Sequence, residues 1–172
     1  MATEFDFDVL QVTSSGGEQG PYEVSPAMKR DGWPGGLWVK FLEVSSRIEG
    51  NSIIWKRILD KATPLDATMF VLRGSYEPTD HYTGRYPQKT GVVTTTNQGQ
   101  FFFRVFETVD LAERTVPGSG APLVYALNEL LYVSSNGLLT SEQEGGVARR
   151  VGYCTGTPDQ NNNYLGAEIL FP

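Results

Sequence analysis

The segment from Leu130 to Thr140 constrains the fold of this chain more than any other, because it has the pattern of a β-hairpin. Apolar runs stand on both sides of Asn136-Gly137, and these two residue types tolerate the positive φ of a tight turn. The flanking residues are aliphatic, aromatic or β-branched, which suits a pleated surface. Arg149–Cys154 and Tyr164–Phe171 are predicted to be further strands of the same sheet. In the second of these, Leu165, Ala167, Ile169 and Phe171 alternate with the other residues, which predicts one apolar face.

More strands are predicted upstream, at Leu37–Val44, Ile53–Leu59 and Met69–Gly74. The first has apolar residues on both faces, which favours a core strand over a one-sided surface strand. Asn97-Gln98-Gly99 is predicted to be the turn of a second hairpin between the apolar runs Val92–Thr96 and Gln100–Phe106.

Many short strands separated by Gly, Pro and Asn turns predict an all-β fold, a single jelly-roll-like β-sandwich or barrel with long loops. Residues 74–91 are predicted to be one such loop. Residues 1–36 are predicted to be an extended amino-terminal arm or linker, and residues 37–172 the β-sandwich body. Pro26, Pro34, Gly35 and Gly36 predict an extended, non-helical path for the end of the arm. The alternative is that this segment folds along its own domain.

The composition limits the partners that this chain can have. Its 172 residues are 40% hydrophobic and 20% charged, which is typical of a globular protein. A formal net charge of -6 argues against nucleic acid as a partner. Apolar runs are too short to cross a bilayer, so no membrane partner is predicted. The acidic amino terminus lacks the features of a signal peptide, so synthesis in the cytoplasm is expected.

Catalytic and metal-binding residue types are scarce. One histidine, His81, is predicted to lie on a surface loop, and the single cysteine, Cys154, is predicted to be a buried, inert thiol. The densest carboxylate groups are Asp6 with Asp8, and Glu107 with Asp110 and Glu113, without the spacing of a calcium loop. We therefore predict no enzyme activity, no cofactor and no metal, although a hydrolase with an Asp/Glu pair distant in sequence is left open as the weakest alternative.

Aromatic residues in segments rich in Gly and Pro are the strongest indication of a binding surface. Trp33, Tyr76, Tyr82 and Tyr86 lie in such segments, and with Arg85 nearby they have the composition of a protein interface. Phe5 and Phe7 of the arm complete the set of residues predicted to bind a partner. Two alternatives stay open for the loop aromatics: they cover the ends of the sandwich, or they stack on sugar rings.

The carboxy-terminal third resembles bacteriophage head decoration (cement) proteins. The similar residues are the Ser-Asn-Gly-Leu hairpin within Tyr132–Leu139, the Val-Gly-x-Cys strand Val151–Cys154, and the closing strand Leu165–Leu170.

This resemblance implies a virion protein on the capsid surface with no catalytic role. It implies a homotrimer on three-fold positions whose partner is the major capsid protein, and which stabilises contacts between capsid subunits. The alternative function is a carbohydrate-binding or host-recognition module of a virion that uses Trp33, Tyr82 and Tyr86.

Overall fold

Strands dominate the structure. The computed structural model describes residues 9–14, 19–72, 74, 89–94, 99–110, 120–159 and 163–170. The strands are β1 (Val9–Ser14), β2 (Gln19–Val24), β3 (Trp38–Glu49), β4 (Ser52–Lys61), β5 (Met69–Val71), β6 (Lys89–Thr94), β7 (Gly99–Phe103), β8 (Leu130–Val133), β9 (Leu139–Thr140), β10 (Arg150–Gly156) and β11 (Leu165–Ile169). An α-helix, α1 (Pro26–Asp31), and a 3-10 helix, Glu144–Gly146, lie between them. The all-β prediction is confirmed.

Six strands form an open sheet in the order β1-β7-β11-β10-β8-β9, and every neighbouring pair is antiparallel. In β11 the alternate side chains of Leu165, Ala167 and Ile169 are fully buried, as the sequence pattern predicts. One face of this sheet therefore supplies a continuous apolar surface.

The other five strands close into a barrel in the order β2-β4-β3-β5-β6. Only the β2–β4 pair is parallel. A closed barrel has no free edge within its wall, so the backbone groups of the paired residues find partners there. An open sheet beside a separate closed barrel differs from the strand order of a single jelly roll.

Two hydrophobic cores follow from this arrangement. The barrel encloses one of them, which includes Val24, Val39, Leu59, Val71 and Val92. The second lies where the barrel meets the open sheet and includes Trp38 and Phe70 from the barrel with Phe101, Phe103, Leu131 and Ile169 from the sheet. Neighbouring side chains of β3, Trp38 and Val39, enter different cores, which confirms the predicted core strand with two apolar faces.

The predicted hairpin around Asn97-Gln98-Gly99 is wrong. β6 belongs to the barrel, where it pairs with β2 and β5, whereas β7 lies in the open sheet between β1 and β11. Each strand therefore has other partners on both sides. A short turn pattern indicates a change of direction, but it carries no information about which sheet the next strand joins.

The described part of residues 1–36 is folded into the body, contrary to the prediction of an extended arm. β1 pairs with β7, and β2 is a strand of the barrel wall. Between β2 and β3, residues 26–31 are helical instead of extended. Ser25 caps this helix by accepting a hydrogen bond from the Met28 amide at 3.2 Å, and Pro26 at the first helical position has the φ that a helix needs. The boundary predicted at residue 37 does not separate an arm from a body.

The central hairpin prediction is confirmed, because β8 and β9 pair through Tyr132–Thr140 and Val133–Leu139. The Ser134 amide donates to the Leu138 carbonyl oxygen at 2.8 Å, and the Gly137 amide donates to the Ser134 oxygen at 2.9 Å. Gly137 has a φ of 76°. The hairpin turn is therefore the common three-residue loop, here residues 135–137, whose last residue has a left-handed conformation.

Gly137 also lies against the barrel. Its carbonyl oxygen accepts a hydrogen bond from the Trp38 amide at 2.7 Å. A Cβ atom at this position would lie 3.0 Å from Leu37 Cδ1 and 3.2 Å from the Trp38 carbonyl oxygen. Glycine is therefore required here for its φ and for the close approach of two backbones.

We expect Gly137→Ala to lower the free energy of unfolding by about 2–4 kcal/mol, because it adds a steric clash to the cost of a left-handed alanine. Gly50→Ala is the matched control, because Gly50 has a φ of 60° and a Cβ atom at this position would meet no heavy atom within 4 Å. Urea denaturation of both variants measures the difference. Equal losses would show that the contact with the barrel has no energetic role.

Candidate functional site

Of the seven residues predicted to bind a partner, Trp33 lies in the described ranges. Its buried position argues against that role. Its side chain is 3% exposed and packs in the barrel core with Val24, Met28 and Leu37. The alternative in which aromatic residues cover the ends of the body describes Trp33 better. The other six predicted residues, and His81, lie outside the described ranges: Phe5, Phe7, Tyr76, Tyr82, Arg85 and Tyr86.

Glu107, a candidate carboxylate from the sequence, holds the central hairpin in place. Its side chain is 5% exposed. Oε1 accepts hydrogen bonds from Ser134 Oγ at 2.7 Å and from Asn136 Nδ2 at 2.8 Å. Its backbone is fixed as well, because the Glu107 amide donates to the Leu139 oxygen and its carbonyl oxygen accepts from the Tyr125 hydroxyl at 2.6 Å. This geometry uses the carboxylate as an anchor for the loop.

Burial changes the acidity of two groups near this anchor. It raises the pKa of the Tyr125 hydroxyl well above its usual value, and the charges of Glu107 and Glu129 raise it further. Burial also raises the pKa of the Cys154 thiol. Cys154 is fully buried, so the predicted burial of this residue is confirmed. Both groups stay neutral near pH 7.

A long two-stranded ribbon is the feature that the sequence analysis missed. β3 and β4 pair from Val39–Lys61 to Glu49–Ser52, whereas the described pairing of β2 with β4 is confined to Ile58 and Leu59. In the described chain no third strand pairs with residues 44–57, which we call the ribbon. Its strands are about 20 Å long, since each residue extends a strand by about 3.3 Å. Glu49-Gly50-Asn51-Ser52 predicts a turn between β3 and β4. It does not predict that these two strands extend beyond the barrel wall.

The tip of the ribbon exposes a pair of large aliphatic side chains. Ile48 and Ile53 are directly opposite each other, and they are 78% and 62% exposed. Basic residues accompany them: the ribbon contains Arg47, Lys56 and Arg57 against one acidic residue, Glu49. Two adjacent aliphatic side chains that are this exposed form a small apolar patch, which is a candidate for contact with a partner.

A second group of exposed aliphatic side chains lies in the segment that leads into β8. Val124, Leu127 and Leu130 are 79%, 62% and 41% exposed, and they fall within seven consecutive residues. The Asn128 amide donates to the Cys154 oxygen, and the Cys154 amide donates to the Glu129 oxygen, so hydrogen bonds to β10 hold this segment. We call it the 124–130 surface.

A shallow cleft of about 270 Å³ opens beside Tyr125. Its apolar lining residues are Phe106, Leu123, Tyr125 and Pro158. The Phe106 and Tyr125 rings meet edge to face, with centroids 5.5 Å apart. Three polar residues complete the lining: Thr108, Asp159 and Asn163. An apolar floor with a few polar groups suits either an aliphatic side chain of a partner or a sugar ring.

A scan against protein-family models found no match for this chain, and searches of curated proteins and of solved structures found no similar protein. The interpretation of the surfaces therefore comes from their geometry and chemistry.

No helix in the described ranges is long and apolar enough to span a membrane.

We expect Glu107→Ala to lower the free energy of unfolding by about 2–4 kcal/mol, because it leaves the Ser134 hydroxyl and the Asn136 amide without their shared acceptor. A double-mutant cycle with Ser134→Ala, followed by thermal and urea unfolding, measures the coupling. Additive losses from the two substitutions would mean that the hydrogen bond between these side chains has no energetic role.

Cys154 should react slowly with thiol reagents in the folded protein. The thiolate is the reactive form, and burial both raises the thiol pKa and blocks access. We expect labelling by a chromogenic disulfide at pH 8 to be at least about 100-fold slower in buffer than in denaturing urea. Comparable rates in the two solvents would contradict the buried position.

Proposed function

We propose that this chain is a decoration (cement) protein that binds the outer surface of a bacteriophage head and stabilises contacts between major capsid subunits. One observation carries the proposal: a β body with two separate exposed aliphatic surfaces, the ribbon tip and the 124–130 surface. A protein that holds neighbouring subunits together needs at least two contact surfaces at a fixed spacing. The resemblance of the carboxy-terminal strands to decoration proteins agrees with this proposal.

The proposed mechanism is mechanical. The shared core between barrel and sheet joins the two parts of the body that carry these surfaces. The 124–130 surface docks on the coat protein, and the ribbon serves self-association into a homotrimer. A single contact of about 800 Å² per partner gives moderate affinity. Three contacts on one trimer act together, so the cap is retained while individual contacts exchange.

The 124–130 surface gives the test of capsid binding. Heads that lack the protein are mixed with the purified chain, and bound protein is measured after sedimentation. We expect the double variant Val124→Asp/Leu127→Asp to bind at least about tenfold more weakly, because burying a Val or Leu side chain contributes about 1.5–3 kcal/mol.

Leu65→Asp is the matched control, because Leu65 is as exposed as Leu127, at 62%, and lies in another loop. The control should bind normally. Absence of binding by the unmodified chain to any phage head would refute the decoration function, and equal binding by the double variant would refute the surface assignment.

A carbohydrate-binding module is the second candidate, and the cleft is the observation that favours it. The aromatic floor with Thr108, Asp159 and Asn163 around it has the composition of a site for a sugar ring. A glycan array tests this function with the unmodified chain and with Thr108→Trp, which fills the cleft. Binding that the variant abolishes supports it, and no binding by the unmodified chain rejects it.

A further inference from the structure

We infer that Asn136 is a site of spontaneous deamidation that the folded hairpin keeps unreacted, and that opening of the hairpin exposes it to an irreversible change. The site is the pair Asn136-Gly137 in the turn between β8 and β9. This inference goes beyond the proposed function and does not depend on it.

The chemistry follows from the residue pair. Glycine has no side chain, so nothing hinders the approach of its backbone nitrogen to the side-chain amide of a preceding asparagine. The Gly137 nitrogen forms a bond to Cγ of Asn136, the Cγ–Nδ2 bond breaks, and ammonia leaves with the amide proton. Water then opens the five-membered imide, which gives aspartate or isoaspartate at position 136.

Both reacting groups are engaged elsewhere in the folded protein. The Gly137 amide donates a hydrogen bond to the Ser134 oxygen at 2.9 Å. Asn136 Nδ2 donates to Oε1 of the buried Glu107 at 2.8 Å. The attack requires the Gly137 amide to lose its proton and the Asn136 side chain to turn towards it, so both hydrogen bonds must break first.

The backbone of the turn is held as well. Gly137 is buried, and its carbonyl oxygen accepts a hydrogen bond from the Trp38 amide in the barrel. The Asn136 amide donates to Ser134 Oγ at 3.1 Å. The two reacting groups therefore meet only when the turn opens locally, and the rate of deamidation in the folded protein is limited by that opening.

The product does not fit the place that Asn136 occupies. The asparagine side chain donates a hydrogen bond to Glu107, whereas aspartate adds a second negative charge beside this buried carboxylate. The repulsion between the two carboxylates weakens the contact that holds the hairpin. Water completes the reaction and ammonia is lost, so a chain that has reacted once keeps a weakened hairpin.

Asn51 is an internal control for the reaction. It is exposed in the turn at the tip of the ribbon, and it is followed by Ser52. The serine side chain hinders the attack, so the sequence ranks Asn136 above Asn51 in reactivity. The fold is expected to reverse this order, because the tip opens more readily than the central hairpin.

Peptide mass spectrometry after incubation at pH 8 measures both positions in one sample, because deamidation changes the mass of each peptide. In guanidinium chloride we expect Asn136 to react at least about fivefold faster than Asn51, since no folded structure protects it. In buffer Asn51 should react faster, and Asn136 should be at least about 20-fold slower than in the denaturant. Equal rates for Asn136 in the two solvents overturn the inference, and so does a faster reaction of Asn136 than of Asn51 in buffer.

Glu107→Ala tests whether the anchor provides the protection. We expect it to raise the rate at Asn136 in buffer at least about tenfold and to leave the rate at Asn51 unchanged. Met28→Ala is the matched control, because it destabilises the barrel core and removes no hydrogen bond of the turn. It should accelerate the reaction at Asn136 less than Glu107→Ala does at an equal loss of stability. Equal acceleration by the two variants overturns the role of Glu107.

Asn136→Asp reproduces the charge of the product. We expect it to lower the urea midpoint of unfolding further than Asn136→Ala, which removes the donor without adding a charge. Asn51→Asp should leave the midpoint unchanged. Failure of Asn136→Asp to fold under conditions in which Asn136→Ala folds supports the inference in the same way. Equal midpoints for the two variants at position 136 overturn the proposed repulsion.

Discussion

The packing of Trp38 between the barrel and the open sheet is the interaction on which the rest of the structure depends. Its ring lies 5.2 Å from that of Phe70, which in turn lies 5.1 Å from Phe101 and 5.2 Å from Phe103. Aromatic contact therefore runs without a break from β3 through β5 to β7 of the open sheet. The Trp38 amide adds a hydrogen bond to Gly137 in the central hairpin.

One polar atom at this junction is buried at a cost in free energy. Trp38 Nε1 is buried without a hydrogen-bond partner in the described structure. An unpaired buried donor costs about 1–3 kcal/mol. A fully buried indole recovers this through the large apolar area that it removes from water. The large Trp38 side chain fills the junction, and Glu107 supports the same region through Ser134 and Asn136. The result is one joined body in which the barrel and the sheet share a core.

Local patterns in the sequence predicted local structure well. The alternation of Leu165, Ala167 and Ile169 identified a strand with one buried face, and Asn136-Gly137 identified a hairpin. Pairing between distant segments was not predictable, because β1 and β7 or β2 and β6 meet through tertiary packing that no short pattern encodes. The helix after Ser25 was missed because Pro26 was interpreted as a breaker, although proline at the first helical position favours a helix.

The candidate surfaces were less predictable than the fold. Trp33 was assigned to an interface because its neighbours are Gly and Pro, but those residues form the turn that carries its ring into the barrel. The ribbon exists because β3 and β4 are longer than the other strands of the barrel wall. This difference in length is visible only once the pairing of all the strands is known. The cleft combines residues 106–108, 123–125 and 158–163, and their proximity follows from the topology alone.

Hydrogen exchange of backbone amides in the native protein tests most directly whether barrel and sheet form one body. Amides of β5 in the barrel and of β11 in the open sheet should exchange with the same opening free energy, because both strands pack on the shared core. Amides at the tip of the ribbon should exchange much faster. Barrel amides that open at a clearly lower free energy than those of the sheet would contradict the account.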